Sequence, residues 1–245
     1  MKVVKRVFHK NIFGEKMRIL LISDIHGNKE ALDSVLDVPH DRVICLGDLA
    51  DYGPSPSECI DLIMQHGIET VLGNHDAAVG SGIECGCGYK YKHLSVATRD
   101  YTREVITEEQ MAFLRQLSFS IEKEIDGLKL YFTHGSPRSN YEYMRPDTPE
   151  SEIEEMVSGI DADVLFIGHS HHPFIRKFKN MLIINPGSAG QPRDGDWRAS
   201  CVVFDTSSSE AEIIRCDYDI DITCKKIKEN MPNSDDLITI LKRGY

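Results

Sequence analysis

Asn74 and His75 stand side by side in GNHD (Gly73 to Asp76), joining a side chain that can ligate a metal to one that can deliver a proton. Four further stretches follow β-prone apolar runs and carry Asp or His: SDIHGN (Ser23 to Asn28), LGDLAD (Leu46 to Asp51), THGSP (Thr133 to Pro137) and GHSHHP (Gly168 to Pro173). Five strand ends furnished with Asp, Asn and His suggest a dinuclear metal site. The candidate ligands are Asp24, His26, Asp48, Asn74, His134, His169 and His171. Seven side chains serve two cations if one carboxylate bridges, and Asp48, alone at its strand end, is the natural bridge. Asp24 with His26, and His169 with His171, are spaced by two, which in an extended segment turns both members of a pair to one side. Nitrogen and oxygen donors without sulfur favour manganese, iron, zinc, cobalt or nickel, with manganese the first choice.

A pair of such cations makes hydroxide available near neutral pH and clamps phosphate oxygens while charge builds during in-line attack. The leaving alkoxide then needs a proton, and His75, spare in the ligand count, is placed to give it. Asp76 either orients and raises the pKa of that imidazole or caps the following turn. Asn28 either touches substrate phosphate or caps a helix. Arg193 either steadies a phosphate or pairs with Asp194 or Asp196 in its own loop, the loop pairing being the preferred reading. Gly187 and Ser188 serve the turn. His9, His40, His66, His93 and His172 read as surface or packing residues, with His172 facing away from His171 along an extended chain.

These residues must be held by a scaffold, and its outline is legible. Strand MRILLIS (Met17 to Ser23) is followed by a helix through KEALDSVLD capped at Asn28, a strand RVICLGD, a helix opened by Pro56 that stops at Gly67, and a strand IETVLGN. Ala77 to Phe119 lacks strand signals and holds a capping box at Thr107 and Gln110. Strands return in SIEKEI, LKLYFTH, ADVLFIGH, FIRKFK and MLIINPG, with a helix after Pro149. A hairpin of SCVVFD and AEIIRC then precedes a helical tail from Asp221 to Tyr245. Strand and helix alternate in the first half, which favours parallel pairing, and consecutive strands later favour antiparallel additions. A mixed α/β layered sandwich satisfies both, as one domain over residues 17–245 with a short C-terminal helical appendage, preceded by an extension over residues 1–16 whose VVKRVFH alternates like an edge strand.

At 245 residues the chain is long enough for a substantial core. A net charge of −11 argues against a grip on extended nucleic acid, yet two divalent cations minus two aspartates and a hydroxide leave about +1 at the site, enough to draw a small anion. No apolar run approaches the ~20 residues of a membrane span, and the N-terminus does not read as a signal peptide. Seven cysteines without an export signal fit a reducing cytoplasm. Cys85 and Cys87 in ECGCG lack the second pair that a structural zinc site wants. A single chain and a homo-oligomer are both compatible with the sequence.

In order and combination, DIHGN, GDLADYGPSP, GNHD, THGSP, GHSHHP and NPGSAGQPRDGD resemble the calcineurin-like metallophosphoesterases, in particular their small bacterial and archaeal phosphodiesterase branch, from Met17 to about Asp205. The resemblance implies a four-layer αββα sandwich with two mixed β-sheets flanked by helices. It implies one metal on Asp24, His26, Asp48 and His171, a second on Asp48, Asn74, His134 and His169, and His75 as proton donor. Relatives that cleave phosphoproteins or dinucleoside tetraphosphates symmetrically carry DRG after the GD strand and GNHE later; here Ala50, Asp51, Tyr52 and Gly53 follow, and Asp76 stands after His75, so the phosphate-gripping arginine is missing at that place. The expected activity is hydrolysis of a small phosphodiester or nucleotide-type substrate. Dinucleoside polyphosphate or phosphomonoester hydrolysis is the alternative within the fold, and a non-catalytic interaction scaffold the alternative outside it.

Overall fold

Residues 17–86 and 92–245 are described by the structure, a computed structural model. The extension 1–16 with its expected edge strand, His9 and Cys87 lie outside them. β1 (Arg18–Ile22), β2 (Arg42–Cys45) and β3 (Glu69–Thr70) run parallel, and the hairpin of β9 (Ala199–Asp205) and β10 (Glu210–Cys216) adds antiparallel at the other edge of β1. In the second sheet β5 (Leu128–Thr133), β6 (Val164–Phe166) and β8 (Met181–Asn185) are parallel, with β4 (Ser120–Ile125) and β7 (Phe174–Phe178) antiparallel at its edges.

The side-chain period of two explains the layering. Ile19 and Leu21 of β1 join Ile44, Phe132, Phe166 and Phe204 in a core between the sheets, where Phe132 and Phe166 stack with centroids 4.7 Å apart. Leu20 and Ile22 point the other way, onto α1 (Lys29–Leu36), α2 (Pro56–Gln65) and α5 (Glu108–Gln116). Leu165 and Ile183 of the second sheet likewise back onto α6 (Glu150–Met156). The central strands are buried on both faces, which is why they read as continuous apolar runs, whereas the edge strands β4, β7 and β10 keep exposed positions. The arrangement is the expected α/β fold of two mixed sheets with helices outside them.

Two boundaries differ from expectation. IETVLGN forms a ladder only at Glu69 and Thr70, with Val71 bridging to Ser118, because α3 (Asn74–Ser81) begins at Asn74. GNHD is therefore the mouth of a helix and no strand end. The Thr107 capping box forms as read, between α4 (Lys92–Val105) and α5. Among the described cysteines 45, 59, 201, 216 and 224 are free thiols, whereas Cys85 is disulfide-bonded. The tail forms α7 (Ile220–Asn230) and α8 (Ser234–Arg243), whose apolar faces pack on Tyr52 and Leu94. No helix among the described residues is long and apolar enough to cross a membrane.

Candidate metal centre

The loops after β1, β2, β5, β6 and β8 and the first turn of α3 meet beyond the carboxyl ends of the parallel strands. Backbone hydrogen bonds continue from loop to loop: Asp24 N to Gly47 O at 3.0 Å, His26 N to Asp48 O at 3.0 Å, Gly168 N to His134 O at 2.7 Å and Gly190 N to Asp24 O at 3.0 Å. Spacing by two does not act through an extended chain here. Asp24, His26, Asp48, Asp51, Tyr52, His169 and His171 all have left-handed φ, between 45° and 65°. Such residues cost of order 1–3 kcal/mol each and persist only where surrounding contacts impose them. The loops curl, and the curling turns the side chains inward.

All seven candidate ligands are buried and gathered. Asp24 Oδ1 lies 3.1 Å from His171 Nε2, and His26 Nε2 lies 3.2 Å from that same nitrogen. On the other side His134 Nε2 lies 3.2 Å from Asp48 Oδ2 and 2.9 Å from Asn74 Oδ1. Asp48, His134 and His169 offer ligand atoms within 4.8 Å of one another, as do Asp24, His26 and His171. Asp48 Oδ2 is also 3.9 Å from His26 Nε2, so one carboxylate oxygen faces both groups.

Hydrogen bonds behind these atoms reveal what the centre wants. His26 Nδ1 meets Ala50 O at 2.8 Å, His171 Nδ1 meets Gln191 O at 2.5 Å and His134 Nδ1 meets Leu46 O at 2.7 Å. A carbonyl only accepts, so each Nδ1 carries hydrogen and each neutral ring presents a bare Nε2 lone pair inward. Asn74 Nδ2 donates to Cys85 O at 2.7 Å, which turns Oδ1 inward too. Acceptor therefore faces acceptor across the centre, and with these rings neutral Asp24 Oδ1, Asp48 Oδ2 and His169 Nε2 meet no hydrogen-bond donor. Groups so arranged repel unless something positive lies among them. Hard and borderline divalent cations fit this donor set of oxygen and imidazole nitrogen.

Protons partly fill that role in the metal-free chain. Burial would lower the His134 pKa, but the Asp48 charge overrides it and pushes it up to about 9. Burial and the neighbouring His134 take His169 down to about 3, and burial takes His26 well below its ordinary value. Asp24 is held far below the usual carboxylate range by the His171 ring although burial alone would raise it.

His75 sits beside this cluster with its backbone N–H donating to Asp48 Oδ1 at 2.8 Å. Its Nδ1 meets Asp51 Oδ2 at 2.7 Å, leaving Nε2 as the nitrogen able to exchange a proton. Arg99 of α4 approaches the same carboxylate oxygen at 3.6 Å. Asp51 and Arg99 are residues of this pocket that sequence reasoning missed. The signal was LGDLAD itself, whose second aspartate follows the ligand candidate Asp48 by three.

Asp76 does not orient His75. Its carboxylate accepts from Asp48 N and Leu49 N at 2.8 Å each and from Gly73 N at 3.2 Å, so it ties the first turn of α3 to the Asp48 loop. Close approach of those loops also requires Gly73, where a Cβ would lie 2.1 Å from Asp48 Oδ1. Asn28 caps α1 through Ala31 N, and its remaining capacity goes to Gly190 O, Tyr218 and Thr223, so its polar atoms are spent within the protein. Arg193 departs from the preferred loop pairing: Asp194 pairs with Arg215 and Asp196 with Arg198, while Arg193 donates to Gln191 Oε1 at 2.7 Å and lies over the Tyr52 ring, 5.7 Å from its centroid. Tyr143 was also unforeseen; it stacks on the His169 ring with centroids 3.9 Å apart. His66 and His93 are exposed and His40 and His172 half-buried, as expected.

Comparison with known proteins agrees with this geometry. The family described as calcineurin-like phosphoesterase superfamily domain matches residues 17–209. An uncharacterized protein of Methanocaldococcus jannaschii is 36% identical over 236 residues, covering 88% of this chain and 93% of its own length. The crystal structure of a metallophosphoesterase from Sphaerobacter thermophilus superposes with TM-score 0.78 at 30% identity, covering 94% of this chain and all of that one. A hypothetical protein of Pyrococcus horikoshii OT3 superposes with TM-score 0.82 at 23% identity, covering 93% and 98% of the two chains, a likeness of fold.

Proposed function

The chain belongs to the calcineurin-like phosphoesterase superfamily, and on that footing we propose that it is a dinuclear metal-dependent hydrolase of a small phosphodiester or nucleotide-type substrate. The observation that carries this reading is the Asp48 carboxylate between two sets of acceptor-only donors, Asp24, His26 and His171 on one side and Asn74, His134 and His169 on the other. Divalent ions held there supply Lewis acidity toward phosphoryl oxygens and bring the pKa of water down toward about 7.

The chain's own groups do the rest. His75 protonates the leaving oxygen through Nε2, and Asp51 fixes its ring and tautomer through Nδ1. Arg193, half-buried above Tyr52, binds a phosphate oxygen and supplies the charge that the residue at position 52 does not. An acidic surface of net charge −11 disfavours long polyanions, and a small substrate follows.

The test is an activity screen on protein stripped of metal and reloaded with manganese, iron, zinc, cobalt or nickel. Bis(4-nitrophenyl) phosphate, cyclic nucleotides, dinucleoside polyphosphates and phosphomonoesters are compared, with elemental analysis alongside. The expected result is two ions per chain and a preference for diesters. An inert chain under every loading would refute the proposal, and a preference for phosphomonoesters would move it to the alternative within the fold.

A further inference from the structure

The family match ends at residue 209, so α7 and α8 lie beyond it, yet their contacts lead back to the metal centre. Thr223 Oγ1 of α7 lies 3.2 Å from Asn28 Oδ1, and Asn28 Nδ2 donates to Gly190 O at 2.9 Å, at the start of the loop that carries Arg193. At the far end of that loop Gly195 N donates to Gly244 O, the cap of α8, at 2.9 Å. Gly244 has φ 65° and packs so tightly on the loop that a Cβ there would lie 2.9 Å from the Asp196 backbone. Between these tethers Ile227, Leu237 and Leu241 pack in one cluster with Tyr52, whose ring lies beneath the Arg193 guanidinium. The remaining space behind His26 is a small cavity closed by Thr223, Ile227, Leu237 and Leu241.

We infer that the α7–α8 appendage is a positioning element for substrate phosphate: it holds the residue 190–196 loop directly at Gly195, backs Asn28, which holds the other end at Gly190, and seats Tyr52 beneath the loop, which sets the place of Arg193. The inference rests on the proposed function and deepens it. A long arginine side chain loses binding strength when its backbone is free to wander, because order must then be imposed on association. Tethers at Gly190 and Gly195, on either side of Arg193, remove most of that freedom beforehand. The same loop also holds the His171 ring, through Gln191 O at 2.5 Å, so the separation of substrate binding from metal binding is sought by loosening the Gly195 end alone, with the Gly190 and Gln191 contacts left in place.

The test removes Gly244 and Tyr245 from the otherwise unaltered chain and, separately, makes Gly244→Ala, each with and without Arg193→Ala. KM and kcat for bis(4-nitrophenyl) phosphate, the inhibition constant of inorganic phosphate, metal content and the melting midpoint are measured. In the shortened chain KM and the phosphate inhibition constant should rise about tenfold, the worth of one well-placed charged contact, with metal content and kcat retained. Arg193→Ala should cost the same in the full chain but add little to the shortened one, since both changes remove one interaction. Gly244→Ala, which keeps the chain length, should move both constants in the same direction. Unchanged constants in the shortened chain, or an Arg193→Ala effect undiminished there, would overturn the inference while leaving a working phosphoesterase. A full-length chain inert with every metal would remove the proposed function and this inference together.

Discussion

His75 Nδ1 and Asp51 Oδ2 lie 2.7 Å apart in a pocket where Asp51 is fully buried. His75→Ala should leave metal content intact and lower kcat on substrates with poor leaving groups by ~10²- to 10⁴-fold. With 4-nitrophenolate as leaving group the loss should be much smaller. Asp51→Asn should follow the same leaving-group pattern with a smaller loss, and the double variant should be no worse than His75→Ala. Equal losses with good and poor leaving groups would end the acid role.

Asp48 Oδ2 faces His134 Nε2 at 3.2 Å and His26 Nε2 at 3.9 Å, so its removal reaches both donor sets. Asp48→Ala should strip both metals and abolish turnover, whereas Asn74→Ala should deplete one ion preferentially. Elemental analysis of dialysed protein decides it. Full occupancy in Asp48→Ala would contradict a shared carboxylate.

Asp76 holds three backbone N–H groups, so its loss should register as instability before it registers as chemistry. Asp76→Ala should cost about 3 kcal/mol in denaturant unfolding, because buried donors are left without partners. Metal affinity should fall with it, since the Asp48 loop loses its anchor. Wild-type stability with sharply reduced kcat would instead restore a catalytic part for Asp76.

The layers and the gathering of the seven candidate ligands were legible in the sequence for a common reason. Strands such as MRILLIS bury both faces, and each polar group that follows them breaks an apolar run, so both signals are local. What sequence reasoning missed depends on contacts between distant segments. Asp51 acquires meaning only where the β2 loop meets α3, and Arg99 reaches it from α4, 48 positions further along the chain. Asp76 and Asn28 were each given two roles, Asp76 the His75 ring or the backbone and Asn28 substrate phosphate or the backbone, because a carboxylate or amide at a helix start can serve either; the partners decide for the backbone. Left-handed φ at Asp24 and His26 was invisible because it is imposed by hydrogen bonds to Gly47 and Asp48. The appendage read as peripheral since nothing in its composition announces that Gly244 meets Gly195.

The opposed acceptors also set a pH signature for the metal-free chain. His134 has its pKa raised from 6.5 to about 9 by Asp48, against the pull of burial. A raised histidine contributes stability that is complete below about pH 6.5 and is lost as pH rises through about 9. Asp24 works in the opposite sense: lowered by His171, it contributes above the ordinary carboxylate value and loses its contribution only in acid. Chelator-treated protein should therefore melt at progressively lower temperature between about pH 6.5 and 9. Metal-loaded protein should not, because a cation takes the place of the His134 proton and binds more tightly as that proton leaves. Melting curves across this range with and without chelator, and calorimetric titration of metal in buffers of differing ionisation enthalpy, check both halves. Parallel pH curves, or metal uptake with no proton release at pH 7, would show that no His134 proton occupies the site a cation takes.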